Sequence, residues 1–224
     1  MANIMDVKSA VSLIKDGAVV LSGGFYGNGT PAAIVTEMIA QKKKDLTVAN
    51  NDGNTVEKGV GRLVAAGLVK KFICTWCGRL PLAPELAEKG EMELEINPQG
   101  TFVERIRAAG FGLGGVLTPS GLNTMIEEKW GERITLNGKD WLYHTPLHGD
   151  VAIVEADRAD AAGNLVFHLT QRAFSVAMCT AADLVIVEVT KPIEPVGSID
   201  PEHIHVPGMF VDVLVPMNGV MNYE

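Results

Sequence analysis

A chain of 224 residues, 47% hydrophobic and 21% charged, with 24 Gly and 11 Pro, has the make-up of a folded globular protein, which excludes disordered and fibrous architectures. With 19 Lys and Arg against 27 Asp and Glu, the formal charge of −8 excludes unspecific nucleic-acid binding, which needs a basic surface. Three cysteines are too few for a secreted disulfide framework, and there is no uncharged apolar run of ~20 residues, so the expected setting is the cytoplasm, without export or membrane contact.

Val7, Ala10, Val11 and Ile14 keep helical spacing, with Asp6 as N-cap and Gly17 as the stop. Residues 18–21 (AVVL) form a short apolar run between glycines, the pattern of a strand covered on both faces. A second helix follows the glycine-rich segment 23–31. Thr30 is its expected cap, Pro31 its first residue, and Ile34, Val35, Met38 and Ile39 its apolar face, while Lys42, Lys43 and Lys44 suit its negative end. Strands are expected over 46–49, 68–74 and 92–96, and helices over 60–66 and 82–88. Thr101 and Glu104 have the spacing of a capping box and open a helix running to about Ala109.

This alternation predicts an α/β fold: an open, mainly parallel sheet with helices on both faces. Asn137-Gly138 inside 134–143 marks a hairpin, a small antiparallel insertion. Strands over 151–154, 165–168 and 184–187 and a helix near 174–181 complete the pattern. No linker, repeat or composition break interrupts it, so a single domain over 1–224 is expected.

The segment GGFYGNGTP, residues 23–31, joins a buried strand to a helix N-terminus. Glycines let backbone N–H groups approach a ligand, and the helix start adds unpaired donors, a combination suited to an anion or a developing negative oxygen. A tight turn without ligand is the competing reading. The segment is no P-loop, lacking Gly-Lys-Ser/Thr, and no dinucleotide fingerprint, its glycines standing at 23, 24, 27 and 29. Cys74-Thr75-Trp76-Cys77 has no second ligand pair to complete a zinc site and is followed by GRLPLAPE rather than a helix start. Its spacing is therefore read as incidental. His144 and His148 are separated by Pro146, which argues against an aligned pair, and no metal site is expected.

Residues 16–31, DGAVVLSGGFYGNGTP, resemble the signature of the first subunit of the family I coenzyme A transferases, including acetate or butyrate:acetoacetate CoA-transferases and the N-terminal half of succinyl-CoA:3-oxoacid CoA-transferases. Gly23, Gly24, Phe25, Gly29 and Pro31 match the family pattern, and Ser22 stands where an aliphatic residue is usual. Asn51-Asp52 resembles the family's Asn-Asp-Thr turn, with Gly53 in place of Thr. Pro98-Gln99-Gly100-Thr101 and the segment 103–121 resemble the Pro-Gln-Gly-Thr and Gly-Leu-Gly-Gly stretches, and 159–164 and 205–212 resemble later turns. The resemblance covers about 10–215 of the chain.

The resemblance implies an enzyme that moves CoA from an acyl-CoA to a free acid by ping-pong nucleophilic catalysis, with CoA thioesters as substrates and no permanently bound cofactor. In the family a glutamate of the second subunit, in a Ser-Glu-Asn-Gly context, attacks the thioester; none of the sixteen glutamates here is followed by Asn. The chain is thus expected to be an α subunit that needs a β subunit, in an α2β2 heterotetramer acting on acetate, butyrate, acetoacetate or similar acids. Gln99 is expected to reach the shared active site without being the nucleophile. Gly23, Gly24, Phe25, Gly27, Asn28, Gly29, Thr30 and Asn51 are the expected binding residues. Lys42–Lys44 and Lys70–Lys71 either meet CoA phosphates or are solvated ends of elements. Two rival functions are a sugar-phosphate isomerase of related fold, active alone, and a noncatalytic acyl-CoA-binding module; assays with and without a β subunit separate them.

Overall fold

The computed structural model describes residues 1–217; residues 218–224 of the expected domain lie outside the described residues. The first half runs β1 (Asn3–Ile4), α1 (Val7–Ser12), β2 (Val19–Ser22), α2 (Ala32–Ala40), β3 (Leu46–Ala49), α3 (Gly61–Ala65), β4 (Val69–Cys74), α4 (Leu82–Glu88), β5 (Glu93–Ile96) and α5 (Gln99–Gly110). The second half runs β6 (Val116–Thr118), α6 (Met125–Trp130), β7 (Glu132–Leu136), β8 (Lys139–His144), β9 (Gly149–Ala156), β10 (Arg158–Ala159), β11 (Leu165–Val166), α7 (Ser175–Thr180), β12 (Ala182–Val189) and β13 (Val213–Pro216).

Eight strands form the central sheet in the order β1-β13-β12-β9-β2-β3-β4-β5, every neighbouring pair parallel. Its inner strands are continuously apolar because both faces are covered. One face packs Ala10, Ile34, Met38, Leu63 and Ala83 from α1 to α4, and the other packs Phe102, Ile106 and Met178 from α5 and α7. The open parallel sheet with helices on both faces is therefore as the apolar runs predict. The expected hairpin is β7–β8, turning on Asn137 (φ 53°) and Gly138 (φ 71°), and β6 joins it in a three-stranded antiparallel sheet. Asp6 caps α1 as expected, its Oδ1 accepting from Ser9 N at 2.9 Å.

Three local expectations fail. Thr30 does not cap α2: its Oγ1 donates to Gly23 O at 3.3 Å, and the helix starts behind Pro31. Thr101 and Glu104 form no capping box, because Pro98 (φ −53°, ψ 138°) starts α5 directly at Gln99 and leaves Thr101 inside the first turn. Glu104 instead pairs with Arg107. The strand expected over 165–168 stops at Val166, where the chain turns into a 3-10 segment, Leu169–Arg172. The short strands β1, β6 and β13 and helix α6 carry too little periodicity to be read locally.

Beneath the site end of β4 and β5 lies a buried ionic network. Glu95 accepts from Arg105 Nη1 and Asn97 Nδ2 and pairs with Lys71 at 2.8 Å, while Arg105 Nε donates to Thr145 O. Burial pushes the Glu95 carboxyl up, but the hydrogen bonds from Lys71 and Arg105 outweigh it and hold it lowered to about 2. A carboxyl depressed in the fold contributes stability that is present above its unfolded value of 4.5 and is lost as pH falls toward about 2. Urea unfolding followed against pH should lose about 3 kcal/mol of stability over that window. Glu95→Gln should flatten the dependence and cost about 3–5 kcal/mol at neutral pH by leaving Arg105 buried without its counter-charge.

Candidate functional site

The strand order reverses beside β2: the chain moves outward through β3, β4 and β5 on one side, and β9, β12 and β13 lie on the other. In open parallel sheets such a reversal splays the connections apart at the carboxyl ends of the strands and leaves a crevice for ligands. Here it is a cleft of about 680 Å³, walled by Tyr26–Thr30, by Asn54, Lys58 and Arg62, and by residues 168–171, with Glu155 of β9 also lining it.

The glycine segment is shaped by close approach. Tyr26 (φ 51°) and Gly27 (φ 81°) form the centre of a tight turn in which the backbones of Phe25 and Asn28 bond to each other in both directions at 3.0 Å. At Gly24 (φ 113°) an added Cβ would stand 2.2 Å from Thr30 Oγ1, and at Gly29 it would stand 2.8 Å from Gln171 Cα. The N–H groups of Gly27 and Gly29, both in the cleft wall, make no hydrogen bond to other described residues. Of the expected binding residues, Gly27, Asn28, Gly29 and Thr30 line the cleft, whereas Gly23, Gly24, Phe25 and Asn51 stand behind it.

Asn51 and Gln99 are brought together. Gln99, exposed at the first position of α5, donates its Nε2–H to Asn51 Oδ1 at 2.9 Å, and Thr75 Oγ1 donates to the same oxygen at 3.1 Å. Asn51 in turn donates Nδ2–H to Asp52 Oδ2, which also accepts from Tyr26 N at 2.9 Å. Asn50 completes the turn by donating to Ser22 O and Gly23 O. Three consecutive buried side chains thus connect the glycine turn, the exit of β4 and the start of α5.

The two nearby helix starts differ. At α2 the Glu188 carboxylate, reaching over from β12, accepts from Ala33 N at 2.9 Å and Ile34 N at 3.0 Å. The anion site expected at this helix start is thereby filled from inside the protein. At α5 no side chain caps Pro98, and the N–H groups of Gln99, Gly100 and Thr101 make no hydrogen bond to other described residues. The positive end of the α5 dipole is therefore free beside the Gln99 amide.

The sequence reading gave Asp52 only as part of a family turn and did not single out Asn50, Thr75, Glu155 or Glu188 as site residues. The two glutamates do leave a trace, since VAIVE and LVIVE each end an apolar run in a carboxylate, and the strands place them side by side as register partners. The candidate lysines lie elsewhere: Lys43 Nζ donates to Ile14 O, and Lys71 pairs with Glu93 and Glu95. The cations in the cleft wall are Lys58 and Arg62.

Burial pushes the Glu188 carboxyl up to about 7, helped by neighbouring Glu155 and opposed by the α2 backbone donors. Because this value lies above the unfolded one of 4.5, the folded state holds the proton more tightly, and stability falls as pH rises from about 4.5 to about 7. Glu188→Gln should abolish that slope in urea unfolding between pH 4.5 and 7. Glu188→Ala, which removes the cap, should cost about 1–2 kcal/mol.

A family model described as Coenzyme A transferase matches residues 4–216. The chain is 38% identical over 212 residues to the alpha subunit of the acetate CoA-transferase of Escherichia coli, covering 95% of this chain and 96% of that one. It is also 38% identical over 214 residues to one subunit of the 3-oxoadipate CoA-transferase of Acinetobacter baylyi, covering 94% and 92%. Among solved structures, an acyl-CoA transferase of E. coli O157:H7 in thioester complex with CoA superposes with a TM-score of 0.88 at 20% identity. This chain is covered completely and spans 49% of that one.

Proposed function

The chain belongs to the coenzyme A transferase family, and from that premise we propose that it is the α subunit of an enzyme moving CoA from an acyl-CoA to a short-chain carboxylate or 3-oxo acid. The observation that carries this reading is the Thr75–Asn51–Gln99 chain of hydrogen bonds in front of the open start of α5. Attack of a carboxylate on a thioester gathers negative charge on the carbonyl oxygen. The second N–H of the Gln99 amide and the free N–H groups at the start of α5 are donors fixed in advance, and such donors are worth ~3 kcal/mol each in a water-poor site. Asn51 is a positioning residue: held by Thr75 and Asp52, it fixes the Gln99 amide so that nothing reorganises when charge appears.

The nucleophilic glutamate comes from a companion β subunit in an α2β2 assembly. Two observations support this: no glutamate of this chain stands in a Ser-Glu-Asn-Gly context, and both curated relatives are named as subunits. The thioester carbonyl lies at Gln99, and the CoA chain follows the cleft between the glycine turn and Lys58 and Arg62. Among the described residues no helix is long and apolar enough to cross a membrane. The acid pair is drawn from the acetate, butyrate and acetoacetate class, the E. coli relative being named for acetate.

The chain alone should exchange no CoA between acyl-CoA and acid, and the complex with its β subunit should. Borohydride reduces a glutamyl-CoA thioester to an alcohol and hydroxylamine converts it to a hydroxamate, each with release of CoA, so trapping during turnover, read by peptide mass, should place the altered glutamate on the companion chain. Such a change on Glu155 or any other glutamate of this chain would overturn the division of labour. In the complex, Gln99→Ala should lower kcat by about 100-fold with little change in KM, the pattern of a donor used in the transition state.

A further inference from the structure

Cys74 closes β4 inside the apolar core, and Cys77, three residues on and partly buried, packs against the same cluster. Both are free thiols at the exit of β4. The two residues between them are the ones that hold the site. Thr75 donates its N–H to Asn51 O at 2.9 Å and its Oγ1–H to Asn51 Oδ1, and the Trp76 ring lies 6.0 Å from that of Tyr26 at the apex of the glycine turn. Arg79, just beyond, sits 5.1 Å over the Tyr26 ring.

We propose that Cys77 is a site of thiol–disulfide exchange with a low-molecular-weight disulfide, and that the exchange closes on Cys74 to form a reversible internal disulfide that disengages Thr75 and Trp76 from the site. In the first step the Cys77 thiolate attacks one sulfur of the small disulfide. Its S–S bond breaks, one thiolate leaves with the electron pair, and Cys77 carries a mixed disulfide. In the second, Cys74 attacks the Cys77 sulfur and expels the second small thiolate, which takes up the Cys74 proton and leaves as a thiol. Two protein thiols are oxidised and one small disulfide is reduced to two thiols.

The environment assigns these roles. The neighbouring Cys74 thiol lowers Cys77 against the effect of burial, which favours the Cys77 thiolate as the attacking group. The neighbouring Cys77 and burial together raise Cys74. Once Cys77 is capped, it carries no thiolate charge to oppose ionisation of Cys74. A disulfide needs sulfurs about 2.05 Å apart and a torsion near 90°, closer than two thiols in contact. Cys74 cannot yield, being paired with Ile96 in the sheet while its carbonyl accepts from Asn97 N at 2.8 Å. The movement therefore falls on residues 75–77.

Disulfide formation does not depend on the transferase reading; the loss of turnover rests on it. The chain is treated with glutathione disulfide and its intact mass and peptide map are read. Loss of two hydrogens with a Cys74–Cys77 cross-link is expected, together with a fluorescence change that is absent from Trp76→Phe and reversed by dithiothreitol. Oxidation of the complex with its β subunit should lower kcat by roughly tenfold or more, since misplacement of order 1 Å in positioning groups is costly. Dithiothreitol should restore it. Cys77→Ser and Cys77→Ala should keep the basal rate and resist the oxidant. A stable glutathione adduct on Cys77 without the cross-link, a cross-link that leaves turnover and fluorescence unchanged, or inhibition persisting in Cys77→Ser would each overturn the proposal. If the reduced complex shows no turnover, it is the transferase reading that fails, and the mass map and the Trp76 signal still decide the exchange.

Discussion

The site end of this molecule depends on one turn of three buried polar residues, Asn50, Asn51 and Asp52, each at most 3% exposed. Burying amides and a carboxylate is unfavourable by several kcal/mol unless every polar atom finds a partner. The partners are the neighbouring chain exits: Ser22 and Gly23 carbonyls after β2, Tyr26 N in the glycine turn, Thr75 after β4 and Gln99 at the start of α5. Satisfying the turn and assembling the site are the same act. It also explains how Tyr26 is kept at φ 51°, an unfavourable conformation for a bulky residue, since Asp52 holds its N–H.

Two helix starts lie within reach of this turn, and they are treated in opposite ways. Glu188 closes the start of α2 with a carboxylate supplied by the sheet, while α5 begins at a proline that leaves its first N–H groups open. The consequence is directional: charge arriving from outside finds an unpaired positive pole at Gln99 and a neutralised one behind the glycine turn. The glycine segment then serves mainly to let the backbone pack closely on Thr30 and Gln171, which is why a Cβ at Gly24 or Gly29 would strike a neighbour. The backbone donors that the cleft wall still offers are the N–H groups of Gly27 and Gly29.

The relatives named for acetate and for 3-oxoadipate are equally identical to this chain, so overall identity does not separate one acid from another. On the transferase reading, selectivity falls to the side chains of the cleft, with Lys58 and Arg62 on one wall and Glu155 lining it, and to the surface that a companion chain would contribute. The stretch 74–79 stands beside that cleft as a second layer, because Thr75, Trp76 and Arg79 each touch a residue that the site uses.

The amino-acid sequence by itself determined the alternation of apolar strands and amphipathic helices, the Asn137-Gly138 hairpin, the Asp6 cap and, through its resemblance to a known family, the interest of Asn51 and Gln99. All of these are written in neighbours a few residues apart or in a recognisable string. The tertiary structure alone decided that β1 lies beside β13, that a glutamate 155 residues away caps α2, that Thr101 is a buried turn residue rather than a cap, and that Cys74 and Cys77 flank the support of the site. The physical reason is range. Periodicity and capping signals act over about four residues, whereas which distant side chain satisfies a buried donor is set by strand order and register, and no local pattern encodes those.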